Sequence, residues 1–119
     1  MFKLIIMNKR KPGMTFEAFR EYYENHHAVL AQEMTPLMRG YRRIYLTPFQ
    51  AGELAEAEAP FDCVAETWFD SEEDFRRTFE ALMSNPQKMA ALSADEENLF
   101  DRSKIRWFTA VECESDLQK

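Results

Sequence analysis

The chain is expected to fold as one α+β domain, a four-stranded antiparallel sheet with helices on one face. Three observations lead there. Short apolar runs of strand length occur at 2–9, 40–49, 61–69 and 104–113. The longer stretches between them, 15–34 and from Ser71 to about Phe100, carry helical periodicity and helix-start residues. The resulting order β-α-β-β-α-β is that of a split βαβ unit.

The first strand, FKLIIMNK (2–9), ends at the turn KRKPG. Thr15 is a good N-cap for the helix over 15–34, and Glu17 in its first turn complements the helix dipole. On a 3.6-residue wheel Phe16, Phe19, Tyr23, His27, Leu30 and Met34 share one face. Pro36 and Gly40 close this region, and GYRRIYLTPF (40–49) alternates as a half-buried strand does. The small, acidic segment 50–60 reads as a loop, with the composition of a disordered stretch. FDCVAETWF (61–69) is the third strand. Ser71 caps the second helix, whose first turn is acidic, and Pro86 starts a further helical piece. KIRWFTAVEC (104–113) is the last strand. The domain is therefore expected to span 1–113, with a polar tail over 114–119.

Helices can cover only one face of such a sheet. Yet the strands are apolar both ways: Phe61, Cys63, Ala65 and Phe69 against Val64 and Trp68, and Ile105, Trp107 and Val111 against Phe108 and Ala110. A solvated antiparallel face should be polar. The second face is therefore expected to meet another copy of the same sheet, giving a homodimer.

Composition narrows the function classes. The chain has 119 residues, 45% apolar, with a net charge of −6 and no long basic run, which argues against nucleic acid or an anionic membrane as partner. The apolar run Leu4 to Met7 is too short to span a bilayer, and the N-terminus does not read as a signal peptide. Cys63 and Cys113 lack metal or redox spacing, and two reduced thiols fit a cytoplasmic protein. No phosphate loop or nucleophile elbow occurs, so neither a cofactor nor a metal is expected.

Both histidines lie together in EYYENHHAVL (21–30). Adjacent residues on a helix diverge by about 100°, a poor metal spacing compared with i,i+4. His27 falls on the apolar face one turn after Tyr23, and His26 toward the helix edge. An inward His27 is either a structural histidine, bonded to a backbone carbonyl or to Glu66, or a pocket group. Tyr23 shares its face, whereas Tyr22 points away toward the surface or an interface. Glu66, inside the third strand, either pairs with Arg43 or Arg106 or faces a substrate. Trp68 shares its parity and is a pocket wall or core packing. Asp95 and Glu96 read as caps of the last helix.

The stretch KRKPGMTFEAFREYYENHHAVL, with F-x-x-Y-Y-x-x-x-H on its helix, resembles the N-terminal half of EthD-type domains. FDCVAETWFDSEEDF and DEENLFD are similar to that family's second half, in the same order. The resemblance implies a ferredoxin-like dimeric α+β barrel, two sheets packed face to face, and a ligand pocket between helices and sheet. It implies that His27 is the catalytic or substrate-binding histidine, with Tyr23 beside it, and leaves Asp95 a route to the pocket. Glu66 or Trp68 is expected within reach of His27, and His26 is expected to be exposed. The reading that follows is a small cofactor-independent isomerase, cyclase or dehydratase, in which His27 moves a proton on a polyketide-like, aromatic or lactone substrate. The alternatives are a non-enzymatic binder of a hydrophobic small molecule, or an accessory protein of an oxygenase or degradation pathway, and a structural dimer with a vestigial pocket.

Overall fold

A computed structural model describes residues 1–49 and 59–118; residues 50–58 of the expected loop lie outside them. The elements are β1 (Phe2–Asn8), α1 (Phe16–Tyr22), a π turn (Tyr23–His27), α2 (Ala28–Met34), β2 (Met38–Tyr45), β3 (Cys63–Phe69), α3 (Glu72–Met83), α4 (Pro86–Glu97), a 3₁₀ turn (Arg102–Lys104) and β4 (Arg106–Thr109). The strands form one antiparallel sheet in the order β2-β3-β1-β4, the ferredoxin-like arrangement, with the helices on one face. Among the described residues no helix is long and apolar enough to cross a membrane.

Local chemistry sets the connections. After β1 the chain reverses through Lys11-Pro12-Gly13-Met14, closed by the Met14 N–H on the Lys11 carbonyl at 3.1 Å. Gly13 takes φ of 83°, the left-handed conformation that the third residue of such a Pro-Gly turn requires. The Thr15 and Ser71 hydroxyls cap α1 and α3 by accepting from the Ala18 and Asp74 amides, each at 3.1 Å. Asn85 caps α4, with Pro86 in its first turn.

Four segments differ from the sequence expectation. The second strand runs Met38–Tyr45 rather than over 40–49. The helix over 15–34 is interrupted by the π turn. The last strand stops at Thr109 rather than 113, and Ala110 to Gln118 is irregular. The helix expected to open at Asp95 is instead the last turn of α4, which runs unbroken from Pro86.

In β3 the side chains of Cys63, Ala65, Thr67 and Phe69 are buried against the helices, while Val64, Glu66 and Trp68 point the other way. The core beneath the helices is aromatic. Phe19, wholly buried, meets Tyr23, Tyr45 and Phe100 edge-on at 5.7, 6.2 and 6.0 Å between centroids. Leu99, Ala28 and Cys63 complete it. Such edge-to-face contacts add about 0.5–1.5 kcal/mol per pair beyond area burial.

The register assigns the uncovered face. Ile5 pairs with both Glu66 and Phe108, Met7 with Val64, and Val64 with Ile44, so these residues share that side. Ile44 and Phe108 are exposed there. At its centre Glu66 is held by Lys3 at 3.5 Å and Arg42 at 3.3 Å. The same two cations lie 5.3 and 5.5 Å from the Trp68 ring. Trp68 lies flat across Gly40: a β-carbon there would sit 1.8 Å from the indole. Gly40→Ala must therefore displace the ring. It should lose about 1–3 kcal/mol in urea unfolding, and most of that loss should vanish in a Trp68→Leu background, the double-mutant cycle reporting the clash.

Candidate functional site

The site begins where α1 changes its hydrogen-bonding rule. The Ala28 N–H bonds to the Tyr23 carbonyl, five residues back, rather than to Glu24. Such π turns insert a residue into a helix and recur at functional sites. Side chains of this turn and its flanks are anchored in three directions. Tyr23 and His27 enter the core. Glu24 reaches β2, where Arg43 grips it at 3.0 and 2.6 Å and the Tyr45 hydroxyl donates to it at 2.5 Å. Those bonds hold the Glu24 carboxyl below the usual range despite partial burial. Tyr22, just before the turn, reaches α4.

His27 is buried, its ring edge-on to Tyr23 and to Phe100, both at 5.0 Å. Its Nδ1 lies 2.6 Å from Asp95 Oδ2. The other carboxylate oxygen accepts from the Tyr22 hydroxyl at 2.8 Å, and Asn98 Nδ2 donates to that hydroxyl at 2.9 Å. Asn98, Tyr22, Asp95 and His27 thus form a polar chain between the π turn and the end of α4. Burial lowers the His27 pKa from its ordinary 6.5, and the hydrogen bond and charge of Asp95 oppose that shift. With an ionised Asp95 accepting, the neutral ring carries its proton on Nδ1 and leaves Nε2 as a lone-pair acceptor.

His27 also lines a cavity of about 130 Å³ between the helices and the sheet. Leu4, Ile6, Thr67 and Phe69 form its floor. Ala31 and Met34 of α2, Phe75, Phe79 and Leu82 of α3, and Leu92 and Glu96 of α4 surround it, with Trp107 of β4 at one side. The volume is near the ~150 Å³ of an apolar protein cavity that admits benzene. The wall is mostly apolar and carries few polar atoms, as a small-molecule site does.

The expected site residues are only partly brought together. Tyr23 is beside His27, but its hydroxyl is committed: Asn8 Nδ2 donates to it at 3.2 Å and the Tyr41 hydroxyl lies at 3.5 Å. Burial raises its pKa well above the ordinary phenol value. Glu66 and Trp68 are not within reach of His27, because their parity in β3 faces the uncovered side. Glu66 pairs with Lys3 and Arg42 there, not with Arg43 or Arg106. Asp95 does not cap a helix; it is the partner of His27. His26 is exposed and stacks on Tyr22 at 4.7 Å.

Tyr22 and Glu96 are the functional candidates that sequence reasoning did not place. Glu96 lines the cavity while Arg102 Nε lies 3.3 Å from its carboxylate. Burial raises its pKa, the Arg102 charge opposing. Among the described residues no cluster of His, Cys, Asp and Glu is arranged to hold a metal, and those lining the cavity include no lysine or arginine.

A ferredoxin-like α+β domain with a histidine, backed by an aspartate, on the wall of a small apolar cavity is the class of protein this geometry defines. Residues 11–103 match the EthD domain, and the chain belongs to that family. It is similar in structure to a protein of Arabidopsis thaliana, at 13% identity and a TM-score of 0.63 over 98% of this chain and 100% of that one. An EthD-family protein of Bacillus halodurans superposes with a TM-score of 0.63 at 20% identity, covering 95% and 100% of the two chains. A protein of Bacteroides fragilis, described as dimeric, of unknown function and ferredoxin-like, superposes at 0.53 with 13% identity over 92% and 93%. At these identities the likeness shows the fold alone. No curated protein matches the sequence.

The buried imidazole has a readable pH signature. In the unfolded chain His27 binds its proton near 6.5; in the folded chain it does so only at lower pH. Stability should therefore fall as pH drops from 6.5 toward the folded pKa, where the unfolded state binds more protons. Urea unfolding across pH 5–7 should show this slope in the wild type and a smaller one in His27→Gln. In ring-proton NMR titrations Asp95→Asn should lower the His27 pKa further, since it removes the group that raises it.

Proposed function

We propose that the protein is a small cofactor-independent enzyme of the isomerase, cyclase or dehydratase kind, acting on a polyketide-like, aromatic or lactone substrate. The observation that carries this reading is the 2.6 Å contact of His27 Nδ1 with Asp95 on the wall of an apolar cavity. Asp95 holds the Nδ1–H tautomer and stabilises the imidazolium that forms when Nε2 takes a proton. A proton removed next to a substrate carbonyl is held on Nε2 and returned to another atom of the same molecule, so no cofactor is consumed. Tyr22 and Asn98 keep Asp95 oriented. Burial keeps the resting imidazole neutral, the form a general base needs.

Exchange of α-protons of cyclohexanone with D₂O, followed by NMR, tests the chemistry without a known substrate. Wild-type protein should accelerate exchange. His27→Ala should reduce the acceleration by about 100-fold or more. Asp95→Asn should also reduce it, because an asparagine amide donating to Nδ1 would move the ring proton to Nε2. His26→Ala should leave it unchanged. Absence of catalysed exchange in the wild type, or its persistence in folded His27→Ala, counts against the reading.

The protein is further proposed to be a cytoplasmic homodimer built on the uncovered sheet face. The exposed Ile44 and Phe108 support this assembly, as does the dimeric description of the Bacteroides fragilis relative. Cys63 and Cys113 are both free, which suits a reducing compartment. Sedimentation should give twice the 14.1 kDa of one chain, and Ile44→Glu with Phe108→Glu should give the single-chain mass.

A further inference from the structure

The charge of the cavity wall narrows the ligand beyond the reading above, on which this inference rests in taking that cavity as the ligand site. We propose that the cavity selects neutral, single-ring ligands and rejects carboxylates of the same size, with Glu96 as the specificity-determining residue.

Two observations combine. The first is size. About 130 Å³ suits one six-membered ring and is well below the ~300–1,000 Å³ of sites for larger ligands. The second is sign. Among the described residues the wall contains no lysine or arginine. Its one carboxylate is Glu96, and Asp95, the next residue, stands behind His27. Arg102 pairs with Glu96 from the adjoining hollow, which shares Phe79, Leu92 and Glu96 with this wall. A ligand carboxylate would lose its hydration, find no lysine or arginine on this wall, and lie beside a Glu96 carboxylate whose Arg102 partner is already engaged. Glu96 already sits where burial disfavours ionisation, so a second anion would meet an environment that resists the first. A neutral ring bearing a hydroxyl or carbonyl would instead bury its apolar body on Leu4, Phe79 and Leu92, leaving its polar atom to His27 Nε2.

Calorimetric titration with benzyl alcohol and with benzoate at pH 7.5 tests the inference on the intact chain. Benzyl alcohol should bind, with benzoate weaker by roughly tenfold or more. In Glu96→Gln, with folding checked by circular dichroism, the gap between alcohol and benzoate should narrow. Ala31→Leu, which fills the cavity, should abolish alcohol binding. Equal binding of the two probes, a gap unchanged in Glu96→Gln, alcohol binding that survives Ala31→Leu, or no alcohol binding at all would overturn the proposal. These outcomes are separable from failure of the catalytic reading. Discrimination without cyclohexanone exchange would sink the proton transfer alone, and exchange without discrimination would sink the selectivity alone.

Discussion

A single sheet covered on one side must satisfy two environments with the same strands, and the rest of this molecule depends on that constraint. Residues of one parity enter a core thick enough to enclose a cavity; those of the other parity form a surface with no helix above it. On the covered side the small side chains of Thr67 and Ala31 border room that the helices do not fill. On the other side Ile5, Ile44, Val64 and Phe108 surround a charged centre at Glu66. The two faces therefore carry different chemistry although their residues alternate along the same strands.

Within the covered side, the polar groups are sorted by how fully their bonds are met. The Tyr23 hydroxyl is enclosed by Asn8 and Tyr41. The Cys63 thiol is pushed by burial up to about 12, which keeps it protonated and unreactive at neutral pH. His27 differs because, among the described residues, only its Nδ1 has a hydrogen-bond partner. A buried imidazole with Nδ1 satisfied by a carboxylate and its ring on a cavity wall is stable in the fold and still has one nitrogen available for chemistry. Its structural bond and its functional reading are two ends of one ring rather than competing explanations.

How much of this was legible in the sequence depends on which periodicity governed each residue. The strand and helix order could be read because alternation and the 3.6-residue repeat are local, and Thr15, Ser71 and Pro86 mark helix starts by their own chemistry. His27 could be placed inward because Phe19 and Tyr23 set its face. Tyr22 could not. A regular helix puts positions 22 and 27 about 140° apart, whereas the wider π turn lets Asp95 bridge them, and no single residue in YENHH announces that turn. Glu66 and Trp68 share one parity, as expected, but it faces the uncovered side; the charge of Glu66 is the one sign of this in β3, and Val64 and Trp68 beside it mask that sign. Asp95 lies 68 positions from His27, and only the packing of α4 against the π turn brings the two together.

The inserted residue in the π turn makes the site sensitive to counting as well as to chemistry. Removing any one residue between Tyr23 and His27 would let the helix close into an unbroken α-helical ladder, with better backbone hydrogen bonds and every remaining side chain type intact. It would also rotate Ala28–Met34 by about 100° relative to Phe16–Tyr22. Ala31 and Met34 would swing off the cavity wall, and the histidine would lose its register with Asp95. A deletion at the middle of the first helix would thus give a more regular helix that no longer sets His27 against Asp95.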